Sequence, residues 1–359
     1  MMDVLHAGLK LEKELVSGVH GGSGSRFMSV RELAEYCGCS YVTAVKASSW
    51  LRSRCVLRME GSRQYVTAGR AGKESELESL LAQRRRPCVG MLLPAADNSF
   101  YASMFSHMRR ELADMGLELF VAIHGSDEEA ERRQLDMMVD MGMSGVLFFS
   151  HKDFNNHRAF ESCPIPVVCL GRDIRGFTRS IVSVNNYDVG RLAALHLMGK
   201  GYRRFAYIGM SQSHFMKDMR LKGFASTLKA HDYMLAQENV VVLDAGREAD
   251  EERIGAFLSG LSGPVGVFCY HDLLAVSSLK ACRTIGKKIP EEIGVIGCDD
   301  LPIASTTVPS LTTVHYPFAQ IAQQAIGILQ RELQEGRSYH ESIVVKPRVI
   351  ERQSTKLQP

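Results

Sequence analysis

The chain has 359 residues, of which 45% are hydrophobic and 23% charged, and its formal net charge is +3. That composition is typical of a soluble globular protein, and no apolar run reaches the ~20 residues that a membrane-spanning helix needs. Charged residues interrupt the N-terminal stretch where a signal peptide would need an apolar core. We therefore expect a cytoplasmic protein of two or three domains.

The nine cysteines are scattered along the chain, and the only close pair is Cys37-Gly38-Cys39. No further ligand stands near that pair at the spacing of a zinc site. We therefore expect small, reduced core residues rather than disulfides. The sequence predicts no metal site and no cofactor.

Charge is distributed unevenly between the N-terminal region and the rest. Residues 1–87 hold 14 Lys and Arg against 9 Asp and Glu, a surplus of +5 where the whole chain has +3. A basic region ahead of a slightly acidic body indicates that this region binds a polyanion. A small domain of ordinary charge is the alternative.

Three helices are predicted at the start of the chain. Leucines at helical spacing predict a first helix that ends near Gly18. Ser29, with Glu32 three residues later, forms a capping box for a second helix, which Gly38 ends. Ser40 caps the third helix. We expect its buried face to hold Val42, Val45, Trp50 and Leu51, and its outward face Tyr41, Thr43, Ala44 and Lys46.

A hairpin follows the third helix. The stretch VLRMEGSRQYV alternates apolar and polar residues across a Gly61-Ser62 tip, which predicts two short strands. Two helices that meet at a short turn indicate a helix-turn-helix, whose second helix enters the DNA major groove. With the hairpin added, the pattern is that of a winged helix, which we assign to residues 1–70 and call the head.

The segment FMSVRELAEYCGCSYVTAVKASSWLRSRCVLRMEGSRQYV resembles the DNA-binding domain of the GntR family. The matched positions are Ser29, Arg31, Leu33, Ala34, Ser40, Thr43, Lys46, Ala47, Leu51, Gly61, Tyr65 and Val66. Tyr41 stands where the family usually has Arg, and the hairpin tip lacks the family's second Gly. The resemblance implies contacts to DNA from Arg31, Ser40, Tyr41, Thr43, Lys46, Gly61, Ser62 and Arg63.

Residues 71–87 are predicted to be a linker. Leu77, Leu80 and Leu81 stand at helical spacing, and Arg84-Arg85-Arg86 precede Pro87, which ends any helix. A solvated, partly helical linker is our expectation. A dimer-contacting helix whose arginines reach the DNA backbone is the alternative.

From residue 88 to 355, which we call the body, short apolar strands alternate with helices. This pattern predicts an α/β fold of parallel sheets covered by helices, in which ligands bind beyond the carboxyl ends of the strands. No dinucleotide-binding, P-loop or nucleophile-elbow motif occurs in the chain. The residues predicted after the strands suit a polar ligand, because Asp and Arg hydrogen-bond adjacent hydroxyls and an aromatic ring stacks on a sugar.

The body resembles the effector-binding domain of the LacI/GalR family, which is similar to type I periplasmic sugar-binding proteins. Segments that carry the resemblance run along its whole length, among them VGMLLPAADNSFYASMFSHMRREL, VSVNNYDVGRLAALHLMGKGYRRFAYIG and HDLLAVSSLKACRTIGKKIPEEIGVIGCDD. The resemblance implies two lobes joined by three crossings, near 184–185, near 314–316 and after Glu335. The N-lobe is then about 88–184 and 316–335, and the C-lobe about 185–314 and 340–355.

The resemblance also implies which residues of the cleft bind the effector. They are Asn98, Ser99, Phe100, Tyr101, Arg172, Arg220, His271, Asp299 and Phe318. Asp299 and Arg220 are polar residues in apolar surroundings that need partners in any case, and a salt bridge between them is the alternative interpretation. Asp272 and Asp300 are interpreted as helix caps.

Together these patterns predict a DNA-binding transcriptional regulator, expected to be a repressor, that forms a homodimer and is not an enzyme. A small molecule, expected to be a sugar, would control operator binding from the cleft. An enzyme on a doubly wound fold and a ligand-binding module whose head no longer binds DNA are the alternatives.

Overall fold

The computed structural model describes residues 4–21, 24–53, 56–61, 63–67, 87–95, 99–149, 157–171, 174, 176–211, 218–244 and 250–356. The chain divides into two compact units, Met1–Arg86 and Pro87–Pro359. The linker prediction, with its leucines and its three arginines, lies outside the described residues. No helix in the described part of the chain is long and apolar enough to cross a membrane.

The described part of the first unit contains three helices and one antiparallel hairpin. They are α1 (Val4–Val16), α2 (Val30–Cys37), α3 (Tyr41–Ser53), β1 (Leu57–Glu60) and β2 (Arg63–Val66). Leu11, Leu33 and Leu51, one from each helix, are fully buried in the common core.

Local hydrogen bonds explain where the helices begin and end. The Ser29 side chain accepts from the backbone N–H of Glu32, whose carboxylate accepts in return from the Ser29 N–H, so the predicted capping box is confirmed. Gly38 ends α2 at φ 60°, a left-handed conformation that glycine adopts without steric cost. Ser40 Oγ accepts from the Thr43 N–H at 3.1 Å at the start of α3.

The face of α3 that packs on the core differs from the prediction. Ala44, Ala47 and Leu51 are fully buried, whereas Val42 and Val45 are 62% and 38% exposed. The prediction of buried valines and an outward Ala44 was therefore wrong. The small alanines allow α3 to approach α1 and α2 closely, and this outweighs the greater hydrophobicity of the valines.

The hairpin is fixed to α3 by polar contacts as well as by its own strand pairing. Glu60 pairs with Arg63 across a two-residue tip in which Gly61 has φ 63°. The Ser48 hydroxyl of α3 donates to the Gln64 side-chain oxygen, and the Gln64 amide donates to the Met28 carbonyl at 3.3 Å. The hairpin prediction is confirmed for the residues described, which leave out Ser62.

The body contains two six-stranded sheets. The first has the order β13-β7-β6-β5-β3-β4, and all its neighbouring strands are parallel. Its strands are β3 (Cys88–Leu93), β4 (Glu118–Ile123), β5 (Gly145–Phe149), β6 (Val167–Gly171), β7 (Ser180–Val184) and β13 (Ser342–Val345). Its helices are α4 (Ser99–Asp114), α5 (Glu128–Asp140), α6 (His157–Glu161) and α12 (Phe318–Glu335).

The second sheet has the order β14-β12-β11-β10-β8-β9 and is parallel except for the edge strand β14. Its strands are β8 (Arg204–Met210), β9 (Val240–Leu243), β10 (Val265–Cys269), β11 (Ile293–Asp299), β12 (Thr312–His315) and β14 (Arg348–Ile350). Its helices are α7 (Asn186–Gly199), α8 (Met219–Ala230), α9 (Glu251–Ser259), α10 (Asp272–Thr284) and α11 (Pro302–Thr306). The predicted α/β fold is therefore present, with one sheet in each lobe.

The chain passes between the two sheets three times. It leaves the first after β7, returns to it after β12 at His315, and crosses again between β13 and β14. The third crossing therefore lies at Lys346-Pro347, and the prediction that the C-lobe resumes at about residue 340 was wrong. The reason is that Ser342–Val345 extends the first sheet beside β7 before the chain reaches the second.

Two glycines allow α7 and α8 to touch backbone to backbone. A Cβ atom on Gly190 of α7 would overlap the Arg220 carbonyl, and one on Gly223 of α8 would overlap the Tyr187 carbonyl. Because both obstacles are backbone atoms, neither can move aside without shifting a helix. This crossing therefore fixes the position of the first turn of α8, which carries Arg220.

Candidate functional site

Polar side chains gather where the strands of the second sheet end. Asp299 is the last residue of β11, His271 begins α10 after β10, and Arg220 lies in the first turn of α8 after β8. The carboxyl ends of parallel strands meet at one edge of a sheet, which is the usual ligand edge of such folds. Three of the sequence-predicted effector residues are thus at one edge.

Arg220 is held by contacts on every side of its guanidinium. Nε donates to Asn186 Oδ1 at 2.9 Å, and Nη1 donates to the Tyr270 carbonyl. Nη2 lies 3.7 Å from Asp299 Oδ1, and the guanidinium sits over the Tyr270 ring at 4.5 Å. The side chain is therefore fixed in orientation before any ligand binds.

Asp299 is a buried carboxylate with unused hydrogen-bonding capacity. It is 4% exposed, and within the described residues its Oδ1 accepts no hydrogen bond. Burial raises the pKa of its carboxyl to about 6, although the Arg220 charge opposes that rise. Its backbone has φ 116° and that of Asp300 has φ 60°, conformations that are costly outside glycine and are found at binding sites.

His271 caps α10 and is neutral near pH 7. Its Nδ1 accepts from the Leu274 N–H at 3.2 Å, which leaves the ring proton on Nε2 as a donor. Burial, followed by the nearby Arg220 charge, lowers the pKa of His271 to about 4. The interpretation of Asp272 as a cap was wrong, because its carboxylate accepts instead from the Leu301 N–H at 2.8 Å and the Thr313 hydroxyl at 2.6 Å.

Aromatic rings form the part of the site nearest the second crossing. Phe100, in the first turn of α4, lies 4.8 Å from Tyr316 and 5.2 Å from Phe318 between ring centroids. Tyr101 lies 5.4 Å from Phe100 and 5.3 Å from Phe149 at the end of β5. Ser99 is exposed at the start of the same helix. The structure therefore brings the predicted Phe100, Tyr101 and Phe318 together.

Tyr316 is a site residue that sequence reasoning missed. Its phenol is buried, and within the described residues its hydroxyl has no hydrogen-bond partner. Burial raises its pKa, Arg220 opposes that rise, and Asp299 adds to it. Its position directly after β12, at a strand end, was the available signal.

The predicted residues Asn98 and Arg172 lie outside the described residues. The two groups that the structure does describe are the polar set Arg220, His271 and Asp299 and the aromatic set Phe100, Tyr101 and Phe318. Tyr316 links them, because its ring contacts Phe100 and its backbone N–H donates to the Asp299 carbonyl at 3.2 Å.

Asp300, which follows β11, forms hydrogen bonds with residues next to two of the crossings between the lobes. Its carboxylate accepts from His315 Nδ1 at 2.9 Å and from Arg352 Nη2 at 2.7 Å. His315 precedes the second crossing, and Arg352 follows the third. Partial burial opposes the shift, but these hydrogen bonds lower the pKa of Asp300. The interpretation of Asp300 as a helix cap was also wrong, since Leu301 stands at the start of α11.

We expect an Asp299→Asn variant to change how the stability of the body depends on pH. In the native chain Asp299 keeps its proton to about pH 6, whereas an unfolded Asp releases it near pH ~4. Its contribution to stability is therefore complete below pH ~4 and is lost as the pH rises through about 6.

Because asparagine has no such proton, the free energy of unfolding of the variant should rise relative to the native chain between about pH 4 and 6 and then level off. Burial, followed by the Asp299 charge, raises the pKa of Asp272, so removing that charge should lower the Asp272 pKa and change the stability in the same direction. Urea unfolding of both proteins across this range measures the difference. A difference in the free energy of unfolding that does not vary with pH would contradict the raised pKa assigned to Asp299.

In the head, the predicted DNA-contacting residues lie on two elements. Arg31, on α2, is exposed, as are Tyr41 and Lys46 on α3. Ser40 is exposed and Thr43 partly exposed, and their hydroxyls lie 2.9 Å apart. Gly61 and Arg63 are exposed on the hairpin, and Ser62 lies outside the described residues.

Comparison with known proteins gives relatives for most of the chain. A model of the periplasmic-binding-protein-like domain matches residues 194–355. The chain is 23% identical over 279 residues to the HTH-type transcriptional regulator DegA of Bacillus subtilis, which covers 77% of this chain and 82% of that protein. It is 26% identical over 270 residues to the repressor PurR of Pectobacterium carotovorum, with 74% and 79% covered.

A solved structure shows the same fold. The chain matches a LacI family transcriptional regulator from Lactobacillus casei with bound sucrose, at a TM-score of 0.65 and 26% identity, over 75% of this chain and 99% of that one. The body therefore has the periplasmic-binding-protein-like fold of LacI-family transcriptional regulators.

Proposed function

We propose that this chain, whose body has the fold of LacI-family regulators, is a sequence-specific DNA-binding repressor controlled by a sugar. The observation that carries the proposal is a helix-turn-helix unit ahead of a body similar to transcriptional regulators. The chain is then not an enzyme.

The head supports DNA binding through its geometry and its charge. Its second and third helices meet at a short turn, and α3 presents Lys46 to solvent while Arg31 is exposed on α2. Exposed cations on and beside such a helix suit the major groove and its flanking phosphates. With the hairpin as a wing, we propose a GntR-type head.

The cleft residues support a polar effector with several hydroxyl groups. Asp299 offers an unused buried acceptor, and the Tyr316 hydroxyl is buried with no partner among the described residues. An unsatisfied buried polar group is costly, and a bound hydroxyl would remove that cost. Phe100 and Tyr101 supply apolar surface for the ring face of a sugar, and sucrose is bound in the regulator from Lactobacillus casei.

Control of DNA binding would follow from closure of the two lobes. A ligand held by Arg220 and Asp299 on one side and by the aromatic set on the other favours the closed form. In a homodimer, closure would change the spacing of two heads over a two-fold operator. Such coupling is typically worth ~1–3 kcal/mol. We propose that the ligand releases the DNA.

Replacing Arg31 and Lys46 by alanine tests the head. We expect weaker binding to all duplexes. The decrease of affinity with salt concentration should be shallower by the equivalent of about two phosphate contacts, because each cation that binds a phosphate releases counterions. Fluorescence anisotropy of a labelled duplex at several salt concentrations measures both quantities.

The matched control is Lys13→Ala, which removes an exposed cation from α1 of the same unit. It should leave both the affinity and the salt slope unchanged. If the double variant binds DNA as the native chain does, then the contacts assigned to α2 and α3 are wrong.

A further inference from the structure

The start of α3 presents apolar side chains to solvent. Tyr41 is 56% exposed, Val42 62% and Val45 38%. Val42, Val45 and Lys46 are spaced three and four residues apart, so they share one face of the helix. This face lies opposite the buried Ala44 and Ala47.

The core and helix propensity explain these valines only in part. Val42 gains little from burial in the head and Val45 is partly covered, and β-branched residues are poorer helix formers than alanine or lysine. Two exposed valines one turn apart form a small apolar surface at the part of a helix-turn-helix that meets base edges. A bound partner at this position would cover both side chains.

The surroundings of this surface favour duplex DNA as that partner. Lys46 adjoins Val45, the Ser40 and Thr43 hydroxyls lie on either side of Val42 in the chain, and Arg31 is exposed on the neighbouring helix. These cations and hydroxyls match phosphate and base-edge groups. The apolar group that bases present in the major groove is the C5-methyl of thymine.

We infer that Val42 and Val45 contact thymine C5-methyl groups, so that the operator carries thymine at the positions facing α3. This inference rests on the proposed function, because it requires the head to bind duplex DNA. Val42 and Val45 are then specificity-determining residues, whereas Arg31 and Lys46 provide affinity for any sequence.

The test compares thymine with uracil, which differs only by the missing methyl. The full-length chain first enriches duplexes from a random pool, and the best duplex is then synthesised with deoxyuridine in place of each thymine in turn. Burial of one methyl group corresponds to about fourfold in affinity. We expect this loss of affinity at one or two thymine positions in each half of the two-fold operator. The dependence of affinity on salt concentration should stay unchanged.

Variants of the native chain show which side chain causes the loss of affinity when uracil replaces thymine. Val42→Ala and Val45→Ala should each bring the thymine-to-uracil affinity ratio close to one at a single position. Val19→Ala is the matched control, because Val19 is 64% exposed in the same unit but lies outside α3. It should keep the ratio of the native chain.

The outcomes separate this inference from the proposed function. If no duplex is enriched from the pool, the proposed function itself fails. If the native chain binds an enriched duplex equally well with uracil at every position, the function stands and the inference is overturned. If every thymine position that the native chain prefers over uracil keeps that preference in Val42→Ala and also in Val45→Ala, the inference is overturned as well.

Discussion

Replacing Arg220 by alanine is expected to lower the free energy of unfolding by about 3–5 kcal/mol, because it removes one partner of a buried ion pair. Arg220 and Asp299 are 7% and 4% exposed and lie 3.7 Å apart. Without the guanidinium, the Asp299 charge is left buried, and Asn186 and the Tyr270 carbonyl lose a donor. Urea unfolding measures the loss.

The pH dependence of that loss identifies its cause. Burial already raises the pKa of Asp299 to about 6, and without Arg220 the carboxyl should bind a proton still more readily. The destabilisation should therefore be smaller at pH ~5 than at pH ~8. Adding Asp299→Asn to the variant should recover part of the loss at the higher pH, since no charge is then buried.

Lys222→Ala is the matched control for Arg220→Ala. It removes an exposed cation from the same helix, so the stability should change by less than about 0.5 kcal/mol. Equal losses in the two variants would show that α8 is sensitive to any substitution and would contradict the role assigned to the buried pair.

A Gly223→Ala substitution is expected to destabilise the body by about 3 kcal/mol or more, which is the upper range for overpacking. The added methyl would overlap the Tyr187 backbone, which cannot move without separating α7 from α8. Because α8 also carries Arg220, the same shift should weaken effector binding. Unfolding in urea and the response of the melting temperature to ligand measure the two effects.

Gly327→Ala is the control for the glycine prediction. Gly327 lies inside α12, and a Cβ atom there would meet no atom within 4 Å. Alanine is the better helix former, so this variant should be more stable by about 0.5–1 kcal/mol. A Gly223→Ala variant as stable as the native chain would show that the two helices are not in the close contact described.

Short continuous apolar segments between helices predicted the α/β fold, because strands buried on both faces have such sequences. Cys88–Leu93 and Gly145–Phe149 are examples. Edge strands carry a weaker signal. In β13 the residues Ser342 and Val344 are exposed, so nothing in the sequence distinguished this strand from a loop, and the third crossing was misplaced.

The errors at α3 and α10 have a tertiary origin. Hydrophobicity alone favoured Val42 over Ala44 as a core residue, whereas close packing of three helices selects the small side chain. Asp272 is a good capping residue by type, but β12 and the loop after β11 supply Thr313 and Leu301 as its partners. Such partners come from distant parts of the chain, and no local pattern predicts them.

The resemblance of the body to the LacI/GalR family identified Arg220, His271 and Asp299. The order of the strands explains why these residues lie together. Tyr316 was missed because its importance depends on the second crossing, where β12 pairs with β11 and places Tyr316 beside the Asp299 backbone. A residue of this kind becomes visible only when the sheet order is known.

The most direct test is the affinity of the full-length chain for an enriched duplex while monosaccharides, sugar acids and nucleosides are added one at a time. We predict that a compound that raises the melting temperature of the native chain, but not of Asp299→Asn, weakens DNA binding at least ~5-fold. A compound that binds in this way and leaves DNA affinity unchanged would contradict control of the head by the cleft. Consumption of the compound would instead indicate an enzyme.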